Sequence, residues 1–209
     1  MLRASLVVAV LLVFAGTAAA VDCDNGGPGF TDVTALPGGS CSLGPLVFSD
    51  FAVGGTNPST VGINGSVTGN SVDLTFTLSP SIGPFDTIMV YKVTGATVGV
   101  DMHLGTTSGN VTITENVCTV NPTLGSNCVA QGGTLLASYF VNAGGPTADA
   151  RTYGQQSVVW IKKDINVPSG ATMSDFVNSH ETPEPTTYLL IGSGLVALGF
   201  VRRFSKKRG

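Results

Sequence analysis

Val72-Asp73-Leu74-Thr75-Phe76-Thr77-Leu78 alternates without error between apolar and polar residues. Successive side chains of a strand point to opposite faces, so Val72, Leu74, Phe76 and Leu78 look one way and Asp73, Thr75 and Thr77 the other. That is a half-buried strand of an antiparallel sheet, one face on a core and one toward water. Upstream, Leu46 to Val53 reads the same way, with Leu46, Phe48 and Phe51 aimed inward. Further strands are expected over Thr87 to Val93, Val98 to Leu104, Val111 to Val120, Thr134 to Val141 and Ser157 to Lys163. Gly, Pro and Asn cluster between them, including the hairpin-prone Asn64-Gly65 and the breakers Gly54-Gly55, Gly132-Gly133 and Gly144-Gly145-Pro146. No amphipathic helix appears between Val21 and Thr182, so nothing is available to cover a parallel sheet. The pattern predicts an all-β body, an antiparallel β-sandwich or jelly roll. It is not a tandem repeat, which speaks against a regular solenoid.

Both ends of the chain read as addresses. Arg3, the apolar stretch Leu6 to Ala15 and the small residues Ala18-Ala19-Ala20 make a signal peptide over 1–20, with signal peptidase cutting after Ala20 at the Ala18-x-Ala20 site. The chain ends with Pro183-Glu184-Pro185, an uncharged apolar run from Tyr188 to Val201, and a cluster of Arg202, Arg203, Lys206, Lys207 and Arg208. As a helix that 14-residue run would be about 21 Å long, against a hydrocarbon core of roughly 30 Å, so a span requires snorkelling of its basic flank. The basic cluster is expected on the cytoplasmic side, which puts the body outside the inner membrane. The organisation is therefore a signal peptide 1–20, an exported domain 21–177, a linker 178–187, a transmembrane helix 188–201 and a basic tail 202–209.

This tail resembles the PEP-CTERM sorting signal of bacterial exported proteins, also known as the ice-binding protein C-terminal domain. The resemblance implies recognition by an exosortase, a membrane protease that cuts near the Pro-Glu-Pro triplet. The opening Cys41-Ser42-Leu43-Gly44, leading into Phe48-Ser49-Asp50-Phe51, resembles a group of PEP-CTERM proteins of unassigned activity. Lys162-Lys163-Asp164-Ile165 resembles the segment that follows that group's last long strand. These matches imply a β-rich exported domain and no particular chemistry.

The body carries its own electrostatic signature. Four cations against thirteen acids between Val21 and Thr187 leave a net charge of −9, which repels phosphate backbones and argues against nucleic acid as a partner. Cys23, Cys41, Cys118 and Cys128 all lie in the exported part and read as two disulfides. Three pairings are possible; the local one, Cys23 with Cys41 and Cys118 with Cys128, is our reading. Neither pair has CxxC spacing, so a zinc site is not expected.

Catalytic constellations are sparse. Asp101 and His103 share a strand face, but no Gly-x-Ser-x-Gly elbow accompanies them, and they read as a solvated polar face. His180 falls in the expected linker and reads as solvated. Asp22-Cys23-Asp24-Asn25-Gly26 begins like a calcium loop, but Val33 stands where the bidentate carboxylate belongs. Asp73 and Asp86 show no spacing that argues for an acid/base pair. Thr75-Phe76-Thr77 and Thr112-Ile113-Thr114 are too sparse for an ice-binding array. Trp160 reads as core packing, with sugar stacking by Trp160 or Tyr153 as the alternative. No catalytic residue, metal or cofactor is expected. The chain reads as a non-enzymatic surface or matrix protein, structural or adhesive, handled by signal peptidase and exosortase and in contact with exopolysaccharide. The alternative is a carbohydrate- or calcium-dependent binding module.

Overall fold

The inward residues picked out by period two form the core of a mostly antiparallel β protein in the computed structural model, which describes residues 21–23, 31–36, 39–57 and 59–183. The strands are β1 (Val21–Asp22), β2 (Thr31–Asp32), β3 (Ser40–Leu43), β4 (Leu46–Thr56), β5 (Thr60–Thr68), β6 (Ser71–Ser79), β7 (Phe85–Leu104), β8 (Thr107–Ser108), β9 (Thr112–Cys118), β10 (Leu135–Asn142), β11 (Ala148–Val167), β12 (Thr172–Met173) and β13 (Asp175–Glu181). Eleven of them hydrogen-bond into one sheet along β1-β3-β4-β7-β13-β6-β5-β2, with β11 pairing both β7 and β9, and β9 pairing β10. The β1/β3 pair is parallel, and β8 and β12 form a separate two-stranded ribbon.

Two 20-residue strands hold this network together. The first half of β7 lies between β4 and the second half of β11; its second half lies between β13 and the first half of β11. Rings meet across the fold accordingly: Phe48 of β4 lies 5.4 Å from His180 of β13, and Tyr91 of β7 lies 5.6 Å from Phe76 of β6. Side chains of β4 thus meet those of β13, and side chains of β7 those of β6, although neither pair of strands is hydrogen-bonded.

Sequence and structure part company at several points. The segments Thr87 to Val93 and Val98 to Leu104 are one strand, because Gly95 keeps the chain extended at φ +130° where a side chain would strike Leu46 and Pro45. The buried residues run through Phe85, Thr87, Met89, Tyr91, Val93 and Thr97 and then through Val100, Met102 and Leu104, so the alternation changes phase between Thr97 and Val100, beyond that glycine. Ser157 to Lys163 is likewise one part of β11. Asn64-Gly65 is no hairpin; it lies inside β5, which pairs with β6 from Thr60 opposite Ser79 to Thr68 opposite Ser71. Gly65 serves close approach instead, since a Cβ there would overlap the Leu43 side chain. Gly54-Gly55 does not break β4 either. Residues 178–181 are not linker but the last part of β13, a strand hydrogen-bonded on both sides, so the body runs on to Glu181.

Among the described residues no helix is long and apolar enough to cross a membrane. The signal peptide 1–20 with Ala18 and Ala20, the residues Glu184 and Pro185, the span 188–201 and the basic residues from Arg202 to Arg208 lie outside the described residues.

Both local disulfides form. Cys23–Cys41 ties the end of β1 to β3, and Cys118–Cys128 ties the end of β9 to the loop before β10, with Cα atoms 5.0 and 5.4 Å apart. Opening the second with a Cys118→Ser/Cys128→Ser double substitution is expected to lower unfolding free energy by about 2–3 kcal/mol, as the freed loop regains entropy in the unfolded chain. Urea denaturation reads this directly; an unchanged midpoint would mean the bridge constrains nothing.

Candidate functional site

β9 and β11 run side by side with Lys163 opposite Glu115. Both residues sit on the inward phase of otherwise apolar alternations, Val159-Ile161-Lys163-Ile165-Val167 and Ile113-Glu115-Val117, and both are completely buried. Charges that deep cost several kcal/mol each unless they are paired. Here the Lys163 ammonium contacts Glu115 Oε2 directly. It also lies 3.5 Å from Met102 Sδ of β7 and 5.1 Å over the Phe176 ring of β13.

The second oxygen of Glu115 extends the contact to β13. Asn178 Nδ2 on β13 donates to Glu115 Oε1 at 3.4 Å and to the backbone oxygen of Asp101 at 2.6 Å. The Tyr91 hydroxyl donates to Asn178 Oδ1. His180 Nε2 stands 3.3 Å from the same hydroxyl; since that hydroxyl gives its proton to Asn178, Nε2–H is the donor. Five buried polar side chains from β7, β9, β11 and β13 thus form one chain, walled by Phe48, Phe76 and Phe176.

Burial moves the bases in this chain. It pushes the Lys163 ammonium well below the usual lysine range. His180 is pulled down to about 3, by burial first and by charge at Lys163 second, so its ring is neutral at ordinary pH. Its Nδ1 is buried without a hydrogen-bond partner. The cluster therefore combines an amine, a carboxyl group, a carboxamide and a phenol shielded from water.

Sequence reasoning passed over Lys163, Glu115, Asn178 and Tyr91 as chemistry and placed His180 in solvent. The signal was there: a charge or amide on the apolar phase of a strand is rare enough to deserve a partner search. It was hidden at His180 because the polar run Asn178-Ser179-His180-Glu181 looks like a tether when its inward neighbour Phe176 is not counted with it.

The other candidates disperse. His103 is exposed, Asp101 is half-buried, and no hydrogen bond joins them. Asp73 accepts from Ser71 Oγ at 2.7 Å, whereas Asp86, raised by burial and then by Asp164 beside it, belongs to another part of the fold. Thr75 and Thr77 lie on β6 and Thr112 and Thr114 on β9, strands that do not pair, so the two motifs do not merge into one array. Trp160 is on the outward phase of β11, half-buried, with Lys92 Nζ 5.8 Å above its ring, and is not the core residue its apolar neighbours suggested. Tyr153 donates to Thr97 Oγ1 at 3.3 Å. Among the described residues no group of three or more His, Cys, Asp or Glu is placed to hold a metal. Surface clefts of about 240 and 290 Å³, beside the Cys118–Cys128 loop and beside Asp86, fall short of the roughly 300–1,000 Å³ usual for ligand pockets.

The chain leaves the body at a defined point. Thr182 N and Oγ1 both donate to the backbone oxygen of Asn70, at 2.8 and 2.9 Å, fixing the residue after β13 against the β5–β6 turn. Pro183 follows at once. Residues 181–203 match the family model of the PEP-CTERM protein-sorting motif, which implies export, membrane-associated sorting and processing by exosortase. No curated protein and no solved structure matches the chain.

Proposed function

We propose that this chain, which carries a PEP-CTERM sorting motif, is a non-catalytic cell-surface or matrix protein whose folded body is the delivered cargo. The observation that carries this reading is the junction: the motif begins on the last residue of β13, so the sorting signal is appended to the sheet with almost no spacer. Pull or attachment through the tail would act on a strand with neighbours on both sides. We read the folded sheet as sandwich-like, a rigid body suited to structural or adhesive work. The net charge of −9 in the body keeps it off nucleic acids and anionic surfaces. Before processing, the tail holds the protein at the inner membrane with the body outside the cytoplasm; signal peptidase removes 1–20.

Deleting Pro183–Gly209 is expected to shift the protein out of the membrane fraction of its native host into the freely exported one. Unchanged partitioning would sink the reading. A polysaccharide-binding role is a second reading, supported by the outward, half-buried placement of Trp160. Titration with exopolysaccharide should then quench its fluorescence, the protein's single tryptophan serving as the reporter.

A further inference from the structure

The buried chain of polar groups holds more than a salt bridge needs. A lone buried ion pair would be satisfied by Lys163 and Glu115. Here one carboxyl group touches an amine through one oxygen and a carboxamide through the other. The carbonyl oxygen of that carboxamide takes a hydroxyl proton donor from Tyr91. Apolar side chains, Met102 and Phe176 among them, exclude water from the amine. An amine nucleophile, an acyl carbon, a proton carrier between them and a donor aimed at the acyl oxygen are the parts required for acyl transfer.

We propose that Lys163 and Asn178 join in a self-catalysed isopeptide cross-link, with Glu115 as the proton carrier and Tyr91 as the oxyanion donor. The Lys163–Glu115 pair shares one proton. With that proton on the carboxyl group, the Lys163 lone pair forms a bond to Asn178 Cγ and negative charge collects on Oδ1, where the Tyr91 hydroxyl stabilises it. Glu115 accepts the proton the new N–C bond sheds and donates its own to Nδ2. The Cγ–Nδ2 bond breaks, ammonia departs, and the carboxyl group ends protonated as it began. No oxidant or cofactor enters the balance. Burial favours the free amine that the first step uses.

The product would be an amide bridge from β11 to β13, strands that are not hydrogen-bonded to each other, three residues before Glu181. Load applied through the sorting tail would then pass covalently into the longest strand pair. The chemistry itself does not depend on the sorting reading and stands or falls apart from it.

The test is the mass of the purified full chain after both disulfides are reduced, followed by proteolytic mapping. Wild-type protein is expected to weigh one ammonia less than its sequence between the observed termini. A branched peptide should join the segment holding Lys163 to the segment holding Asn178. Glu115→Gln and Lys163→Met should each restore the full mass, and Asn178→Asp should convert the loss to one water. Full mass with two separate peptides in folded wild-type protein would overturn the proposal, and that measurement needs no variant to fold. Persistence of the ammonia loss in Lys163→Met would overturn it too, assigning the loss to succinimide formation at Asn178-Ser179.

Discussion

Between about pH 6.5 and pH 4 the protein is expected to lose roughly 3 kcal/mol of folding stability through His180 alone. The folded ring holds its proton only below about 3, because burial and then charge at Lys163 oppose it, whereas the unfolded ring titrates at 6.5. In the window between those values the unfolded chain binds more protons than the folded one. Stability is therefore complete above the unfolded value, declines as pH falls through the window, and stops declining near the folded value. Carboxylates also titrate toward the acid end, so the informative quantity is the difference between wild type and His180→Leu. Denaturant midpoints measured in steps from pH 7 to pH 4 should fall more steeply for wild type. Parallel profiles would mean that the ring is solvated in the folded protein, as its polar sequence neighbourhood suggested.

Truncating Phe76 is expected to have a comparable effect at neutral pH. Its ring stacks on Phe176 at 4.9 Å and tilts against Tyr91 at 5.6 Å, with no solvent exposure. Phe76→Ala would leave a cavity beside Tyr91 and Phe176 and should cost about 3–5 kcal/mol. Phe140→Ala is the matched control: that ring is 47% exposed on the outward phase of β10, and its loss should cost well under 1 kcal/mol. Equal losses at the two positions in urea denaturation would contradict the assigned faces. The same inward phase that commits Phe76 to the core is what turns Glu115, Lys163 and Asn178 into buried groups.

Phe76 and His180 also mark the limits of what could be read from residues alone. Alternation through Val72 to Leu78 is a local property, so the inward face of β6 was legible without any partner strand. Leu46, Phe48 and Phe51 were legible too, even though the chain changes phase at Asp50, which sits at φ 55° where the β4–β7 register slips. The two local disulfides follow from short separations of 18 and 10 residues that favour neighbouring strands or loops. The expected gap between Val93 and Val98 and the expected hairpin at Asn64-Gly65 give way for a shared reason, the close approach of a neighbouring segment to Gly95 and to Gly65. A glycine that ends a strand and a glycine that lets another chain come close look identical until the approaching chain is known.

From sequence alone came the β class, the inward faces of the strongly alternating strands, and the tail that carries the sorting motif, each encoded in contiguous residues. Tertiary structure alone decided that β7 and β11 each run unbroken over 20 residues, that β13 fills a place between β6 and β7, and that Lys163, Glu115, Asn178, Tyr91 and His180 meet. Those five residues come from four strands as far apart in the chain as Tyr91 and His180. No local pattern ties them; their contact follows from the long-range strand pairing, and their mutual contacts offset much of the cost of burial, with His180 Nδ1 left unpaired.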